Sequence, residues 1–265
     1  MILPISELIS RAVEQALEDR VAVSFSGGLD STVIAAVAKR HASVELFAAG
    51  VPNSEDVRYA GEAARALGLP LEVAVIDEPG AMAAYAKCHS LLRMDFLKLE
   101  ILVPAYYAAR AAAAKGHKVM LFGSAAEELF AGYDRYYISR EEGADVDAML
   151  RDEFRTLPQR DMGYLKKVCR CAGIEARFPF HDKALADAVF SVPIEERMDD
   201  REMKKGILRE AAKVLGAPEI AIRRKKRAMQ YGSGVHKLLF KRIDDINRDF
   251  PALSPASAPP QLRSK

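Results

Sequence analysis

Residues 24–31, Ser24-Phe25-Ser26-Gly27-Gly28-Leu29-Asp30-Ser31, decide the fold class. A short apolar run at 21–23 precedes them, and an apolar helical pattern at 32–39 follows. Two adjacent glycines let the backbone adopt positive φ and approach a ligand closely. The free N–H groups and the dipole of the following helix favour negative charge. The stretch therefore predicts a strand, an anion-binding loop and a helix, in that order.

Three polar side chains in this loop indicate which anion it binds. Ser26 and Ser31 add hydroxyl donors, whereas Asp30 would repel a phosphate unless a cation lay between them. The combination predicts a polyphosphate held together with Mg²⁺. The loop lacks the lysine of G-x-x-x-x-G-K-[ST], and it is not G-x-G-x-x-G. A strand-turn-helix corner that uses its glycines only for geometry is the alternative interpretation.

The loop resembles the S-G-G-x-D-S pyrophosphate loop of the ATP pyrophosphatases, which cleave ATP to AMP and pyrophosphate. That group includes asparagine, GMP and NAD synthetases, argininosuccinate synthetase and tRNA-modifying enzymes. The resemblance implies ATP and Mg²⁺ as cofactors.

The first half of the chain alternates short apolar runs with helical patterns. Such alternation predicts an α/β fold, in which helices flank a parallel sheet and crossovers are right-handed. Strands are predicted at 21–25, 44–49, 71–76 and 119–122, and helices at 6–18, 32–39, 55–67, 81–92 and 96–115. Ligands of such sheets bind at the carboxyl ends of the strands, so the loops there should converge on one cleft.

After Tyr133 the strand signal disappears and only helical patterns remain. Helices are predicted at 147–156, 158–171, 182–192, 201–215 and 235–248. We expect one domain over residues 1–250, with an α/β nucleotide half at about 20–133 and a helical half at 134–250. Residues 251–265 are rich in Pro, Ser and Ala, which predicts a disordered tail.

Composition narrows the class of protein. The 265 residues are 50% apolar and carry a formal net charge of only +2. The overall electrostatic field of the protein therefore does not favour binding to nucleic acid. No apolar run is long enough to span a bilayer, and Met1-Ile2-Leu3-Pro4 lacks the layout of a signal peptide. Three cysteines, Cys88, Cys169 and Cys171, suit a reduced cytoplasm better than a disulfide scaffold. We expect a cytoplasmic protein with no membrane partner.

A second acidic motif follows the last predicted strand. It reads Gly123-Ser124-Ala125-Ala126-Glu127-Glu128-Leu129-Phe130-Ala131-Gly132-Tyr133. Glu127 or Glu128 could supply a metal ligand opposite Asp30. An acidic first helical turn that satisfies its own dipole is the alternative.

This motif resembles G-x-G-[SA]-D-E-[LV]-F-G-G-Y of the synthetase domain of asparagine synthetases. Glu175-Ala176-Arg177-Phe178-Pro179-Phe180-His181-Asp182 resembles that family's E-x-R-x-P-F-L-D, and Arg160-Asp161 its preceding R-D pair. Arg224-Lys225-Lys226 with Gly232-Ser233-Gly234 resembles its R-x-K segment and downstream G-x-G. The matches run in the family's order from about Val21 to His236. They imply an adenine nucleotide alpha-hydrolase-like fold of the HUP type.

The resemblance also implies a reaction. The family activates the β-carboxylate of aspartate with ATP to give β-aspartyl-AMP and pyrophosphate, and ammonia then displaces AMP. The residues that would clamp the pyrophosphate are Ser26, Gly27, Gly28 and Ser31. Asp30 and Glu127 would hold Mg²⁺, and Phe25, Ala49 and Gly123 would meet the adenosine.

Three residues are expected to be catalytic. Lys226 lies at the position of the family's catalytic lysine, and Arg224 matches the arginine two places earlier. A solvated basic face or an RNA contact is the alternative for Arg223–Arg227. Glu128 is the third. It could act as the general base in place of the family's Glu, which is Ser124 in this chain.

The chain departs from the family in three places. Residue 2 is Ile2 and no cysteine precedes Cys88, so we expect no glutaminase activity. The nitrogen source stays open between free ammonia, a separate glutaminase subunit and another amine. Ser124 replaces the family's Glu, which is thought to deprotonate the attacking amine, and Glu127 replaces its Asp. These departures weaken the inference that the product is asparagine.

Two other functions stay open. A tRNA-modifying adenylating enzyme would use the same loop, but the sequence contains no C-x-x-C pair or RNA-binding module, so a nucleic-acid partner is not expected. A non-catalytic nucleotide-binding regulator is the third alternative. A homodimer is an open expectation for the oligomeric state.

Overall fold

The protein is built around one parallel five-stranded sheet. A computed structural model describes residues 4–225 and 229–250. The strands are β1 (Arg20–Ser24), β2 (Ser43–Gly50), β3 (Leu71–Val75), β4 (Val119–Leu121) and β5 (Glu175–Arg177). Their order is β3-β2-β1-β4-β5, and every pairing is parallel. The predicted parallel α/β class is confirmed.

Sixteen helices are described around this sheet. They are α1 (Ile5–Glu14), α2 (Leu29–Ala38), α3 (Glu55–Leu67), α4 (Glu78–Leu92), α5 (Phe96–Ala114), α6 (Ala126–Leu129), α7 (Asp134–Glu141), α8 (Val146–Thr156), α9 (Asp161–Ala172), α10 (Lys183–Phe190), α11 (Ile194–Arg197), α12 (Gly206–Leu215), α13 (Glu219–Ile222), α14 (Met229–Gly232), α15 (Val235–Phe240) and α16 (Ile243–Asp249). A short 3-10 helix at Leu157–Gln159 precedes α9. Within the described ranges, no helix is both long and apolar enough to cross a bilayer.

Local sequence sets several helix boundaries. The Asp77 carboxylate accepts a hydrogen bond from the Gly80 N–H at 2.8 Å at the start of α4, and Asp95 does the same for Lys98 at 3.0 Å in α5. Such N-caps satisfy backbone donors that have no partner within the helix. Gly68, at φ 67°, ends α3 in the left-handed conformation that glycine adopts without strain.

Two predictions about the strands and the last helix of the second half are wrong. Strands do not stop at about Tyr133, because Glu175–Arg177 pairs with β4 as the fifth strand. The helix predicted at 235–248 is two helices, α15 and α16, separated by Lys241 and Arg242. The predicted disordered tail at 251–265 lies outside the described residues.

The main core draws on both halves of the chain. Val21, Val23 and Leu46 on the sheet are fully buried with Phe180 and Leu208 from the second half. Burying one such side chain contributes about 1.5–3 kcal/mol. The second half of the chain therefore completes the core against which the sheet packs.

Candidate active site

The candidate site lies where the direction of strand connections reverses. From β1 the chain adds β2 and β3 on one side, and β4 and β5 lie on the other. The switch point of the sheet is therefore between β1 and β4. In open parallel sheets, ligands bind at the carboxyl ends of the two strands that flank such a switch point. The two sequence motifs occupy these two loops.

The loop after β1 is held open by its glycines. Gly27 adopts φ 69°, and a Cβ added there would lie 2.5 Å from the carbonyl carbon and oxygen of Tyr59. The Ser26 hydroxyl accepts a hydrogen bond from the Gly28 N–H at 3.3 Å, and the Ser31 hydroxyl donates to the Gly28 carbonyl at 3.3 Å. Helix α2 begins at Leu29, immediately after this turn. The predicted strand-loop-helix arrangement is confirmed.

The loop after β4 packs directly on the first. A Cβ added to Gly123 would lie 2.8 Å from the Asp30 Cβ and 3.4 Å from the Ser31 nitrogen. Glycine at 123 therefore permits the close approach of the two motifs. The structure brings together Asp30 and the acidic segment that begins at Gly123, as the sequence predicts.

A lysine bridges the two predicted metal ligands. The Lys205 ammonium lies 2.7 and 2.8 Å from the two carboxylate oxygens of Asp30 and 2.7 Å from Glu127 Oε1. All three side chains are largely withdrawn from solvent, at 5%, 17% and 6% exposure. Burial lowers the pKa of Lys205, and the attraction of Asp30 opposes that effect. The pair of carboxylates thus forms a cation site beside the loop after β1.

Sequence reasoning missed Lys205 because it placed the residue inside a helix predicted at 201–215. Helix α12 begins only at Gly206, and both Lys204 and Lys205 adopt positive φ, at 53° and 56°. Two consecutive non-glycine residues in this region are unusual and cost free energy. The Lys-Lys-Gly run immediately before the apolar periodicity is the only local signal of the break.

The side chain of Arg209 holds this unusual turn in place through hydrogen bonds. Its buried guanidinium donates to the carbonyls of Met203, Lys204, Ile222 and Arg224. One side chain therefore joins the Lys205 turn to the segment that carries Arg224. Charged hydrogen bonds of this kind are stronger than neutral ones.

The carboxylate pair fits a divalent cation. A bound cation, the Lys205 ammonium, already bridges Asp30 and Glu127, and hard cations such as Mg²⁺ prefer oxygen ligands. A Cβ on Gly132 would lie 1.9 Å from Glu127 Oε2, so glycine is needed for this carboxylate to point into the site. Among the described residues no cluster of three or more His, Cys, Asp or Glu could hold a metal. The remaining ligands of an ion here would have to come from the nucleotide and water.

Arg224, from the second half of the chain, reaches the loop after β1. Its guanidinium donates to the Ser26 carbonyl and to Asp56 at 2.5 Å, and it stacks 4.2 Å above the Tyr59 ring. The side chain is buried, at 5% exposure. These contacts stabilise the conformation of the loop after β1, so Arg224 has a structural role at the site.

Lys226, the predicted catalytic lysine, lies outside the described residues. Its neighbour Lys225 is exposed and pairs with Glu202. The downstream glycines are described: a Cβ on Gly232 would lie 2.4 Å from Asp56 Oδ1, and the Val51 N–H donates to the Ser233 carbonyl at 2.8 Å. The Gly232-x-Gly234 segment therefore packs at the carboxyl end of β2.

The three residues predicted to meet adenosine lie at this same edge. Phe25 follows β1 and its N–H donates to the Phe47 carbonyl at 2.8 Å. Ala49 is the penultimate residue of β2, and Gly123 follows β4. The Phe25 side chain is buried in the core. Their contact with a nucleotide stays a prediction.

Glu128 is buried in the short helix α6, next to Glu127 in sequence. Burial raises the pKa of Glu128 to about 7, helped by the nearby charges of Asp161 and Glu153 and opposed by its hydrogen bond to its own backbone and by Lys205. The side chain is 4% exposed. A carboxyl group with this pKa can exchange a proton near neutrality, which suits a general base.

The raised pKa has a testable effect on stability. In the unfolded chain Glu128 titrates near 4.5, so its contribution is present below that pH and is lost as pH rises through about 7. We expect Glu128→Gln to match the wild type at about pH 4 and to exceed it by up to about 3 kcal/mol at about pH 8. Urea unfolding in EDTA, without nucleotide, measures this difference.

Glu62→Gln is the matched control, because Glu62 is exposed on α3. It should change the free energy of unfolding by less than about 0.5 kcal/mol at both values of pH. Equal pH dependence in the two variants would contradict the assignment of a raised pKa to Glu128.

Other parts of the motifs have structural roles. Ala125 and Ala131 stand at positions that are glycine in the motif they resemble, and both keep positive φ, at 77° and 50°. Arg177 binds Glu175 at 2.9 Å and Glu18 at 2.8 Å and donates to the Ala16 carbonyl, so it ties β5 to the end of α1. It does not contact the described residues of the cation site.

Comparison with known proteins gives the relatives of this chain. The family model described as "Asparagine synthase" matches residues 5–162 and 140–258. A putative glutamine-hydrolyzing asparagine synthetase of Methanocaldococcus jannaschii is 31% identical over 264 aligned residues, covering 84% of this chain and 47% of the relative. Asparagine synthetase B of Escherichia coli is 28% identical over 250, covering 84% and 44%. The chain thus spans about half the length of these relatives.

Among solved structures, NMN synthetase from Francisella tularensis shares 14% identity at a TM-score of 0.49, covering 94% of this chain and 87% of that one. The family match, by contrast, extends over nearly all of the described residues, including the loops that build the site. This chain belongs to the asparagine synthase family.

Proposed function

We infer that this chain is an ATP-dependent amide ligase that forms AMP and pyrophosphate. It would adenylate a carboxylate, with aspartate as the leading candidate, and transfer the acyl group to ammonia or another amine. The observation that carries the proposal is the Asp30–Glu127 pair, held by a bridging cation at the switch point beside the Ser26 loop. Membership of the asparagine synthase family supports the same reaction class.

The first half-reaction follows from the charges of the site. A carboxylate oxygen of the acid attacks the α-phosphorus of ATP, and the bond to the bridging oxygen breaks to release pyrophosphate. The N–H groups at 26–29 and the hydroxyls of Ser26 and Ser31 would hold the leaving pyrophosphate. When bound to Asp30 and Glu127, Mg²⁺ would neutralise charge on the β- and γ-phosphates. Lys205 lies between these carboxylates and can place its ammonium on the phosphates as negative charge shifts.

The second half-reaction requires a neutral amine. The amine nitrogen attacks the carbonyl carbon of the acyl-adenylate, AMP leaves, and the nitrogen loses a proton. Glu128 is the buried carboxyl group nearest in sequence to the metal ligands, and its pKa near 7 suits acceptance of that proton. Ser124, where the resembled motif has Glu, is a weak base by comparison.

A pyrophosphate-release assay tests this proposal. Purified protein with ATP and Mg²⁺ is screened against amino acids and other carboxylates, each with ammonium, with glutamine and with primary amines. We expect acid-dependent release of pyrophosphate with equimolar AMP, and amide product with ammonium or an amine. Release that depends on tRNA and not on a carboxylic acid would contradict it, as would ATP binding without turnover for every acid tested.

The Asp30→Asn variant provides the internal control of this screen. It removes one carboxylate of the pair and should abolish release, whereas Asp19→Asn changes an exposed residue before β1 and should not. If Asp30→Asn kept the wild-type rate of pyrophosphate release, the reaction would not take place at this site.

A further inference from the structure

The cation site between the two motifs is filled by a side chain of the protein itself. The Lys205 ammonium makes three contacts of 2.7–2.8 Å with the carboxylates of Asp30 and Glu127. An ammonium that bridges two carboxylates at such distances takes the place that a divalent ion would need between them. Because two cations in one buried site repel each other strongly, ammonium and metal cannot share it.

The side chain of Lys205 is also tightly packed where it reaches the two carboxylates. A Cβ on Gly132 would lie 2.3 Å from Lys205 Cε and 1.9 Å from Glu127 Oε2. The stem of Lys205 therefore passes tightly between Gly132 and the two carboxylates. Entry of a metal requires that this stem move.

The protein alone offers a metal too few ligands. Within residues 4–225 and 229–250, Asp30 and Glu127 are not part of any group of three potential metal-ligating His, Cys, Asp or Glu residues. Mg²⁺ prefers six oxygens in octahedral geometry and often takes several of them from substrate phosphates. A triphosphate would supply those oxygens, and it would also offer Lys205 a new anionic partner.

The backbone beside Lys205 is arranged for such a movement. Lys204 and Lys205 both hold positive φ, a conformation that persists only when the surroundings enforce it. Arg209 anchors the carbonyls of Met203 and Lys204, and α12 begins at Gly206. The ion pairs of Lys205 therefore help to hold a strained turn between two fixed points, and their loss would release it.

We propose that the Lys205 ammonium and a divalent cation are mutually exclusive occupants of the Asp30–Glu127 pair, so that metal enters only together with the triphosphate. Lys205 thereby keeps the empty site charge-balanced and prevents occupation by free metal. The inference rests on the proposed function in one respect, the assignment of this pair to metal. It concerns the nucleotide-free protein and needs no carboxylic acid substrate.

The test measures Mn²⁺ binding to nucleotide-free protein by the electron paramagnetic resonance signal of free Mn²⁺. Lys205→Met removes the ammonium and keeps a stem of similar length. It should bind one Mn²⁺ at least about tenfold more tightly than the wild type, because the competing charge is gone. Lys204→Met is the matched control: it removes a neighbouring charge that pairs with Asp134 at 3.3 Å, and it should bind Mn²⁺ like the wild type.

Three results would overturn the proposal: tight, micromolar binding of Mn²⁺ to the nucleotide-free wild type, equal affinity of Lys205→Met and wild type, or the same gain in Lys204→Met. If Lys205→Met does not fold, Lys205→Gln is used in its place. The Mn²⁺ affinity of the wild type tests the proposal without any variant. Adding Asp30→Asn to Lys205→Met should remove the gained affinity, and retention of that affinity would place the ion elsewhere. Failure of the pyrophosphate screen would leave these metal affinities unchanged, so the two proposals fail separately.

Discussion

Lys205→Met is expected to lower acid-dependent pyrophosphate release by a factor of about 10²–10³. The ammonium is the one charged side chain that contacts both Asp30 and Glu127 among the described residues. Negative charge moves from the α-phosphorus to pyrophosphate as the bond breaks, and a buried cation beside it stabilises that change far more than one in water. The loss should appear mainly in kcat, because the interaction strengthens in the transition state.

Steady-state assays under saturating ATP and Mg²⁺ measure this effect. Lys204→Met should retain the wild-type kcat, since Lys204 pairs with Asp134 away from the carboxylates. Thermal denaturation with Mg²⁺ and ATP shows whether each variant is folded. A folded Lys205→Met protein that keeps more than about a third of the wild-type kcat would remove Lys205 from the proposed chemistry.

Gly27→Ala is expected to cost about 3 kcal/mol of folding stability and to abolish nucleotide binding. The new Cβ would lie 2.5 Å from the backbone of Tyr59, and φ at Gly27 is 69°. Tyr59 cannot yield easily, because the Arg224 guanidinium stacks on its ring and binds the Ser26 carbonyl. Relief of the clash must therefore displace the loop that would hold the pyrophosphate.

Gly61→Ala gives a matched comparison on the adjacent helix. Gly61 lies inside α3, a Cβ added there would have no neighbouring atom within 4 Å, and its φ is ordinary. This change should stabilise the protein by about 0.5–1 kcal/mol through helix propensity. Urea unfolding and binding of an ATP analogue measure both variants, and a Gly27→Ala protein as stable as Gly61→Ala would refute the packing argument.

The sheet and the meeting of the two motifs could be predicted because both depend on local patterns. The apolar runs ending at Ser24 and Leu121 fix two parallel strands, and parallel strands bring the loops at their carboxyl ends to one edge. That rule is enough to place Asp30 beside the acidic segment after Gly123. Strand β5 escaped prediction because Glu175–Arg177 has only three residues, two of them charged, and is stabilised by pairing with β4.

The bridging lysine could not be predicted for a different reason. Lys205 is 175 residues from Asp30 and 78 from Glu127, and no periodicity links positions so far apart. Its turn interrupts what the apolar pattern presents as one continuous helix. Local propensity was overridden by ion pairs and by Arg209, which are visible only in three dimensions.

The pairing of β4 with β5 also determines when this protein can complete its fold during synthesis. A ribosome that adds about 5–20 residues per second needs several seconds to pass from the end of β4 to the end of β5. Throughout that interval the free side of β4 has no strand to bind, and α10 and α12 are not yet available to cover α1. Contacts that join distant parts of a chain form late and slowly. The protein is therefore most open to aggregation and to capture by chaperones while only this first half of the chain has been made.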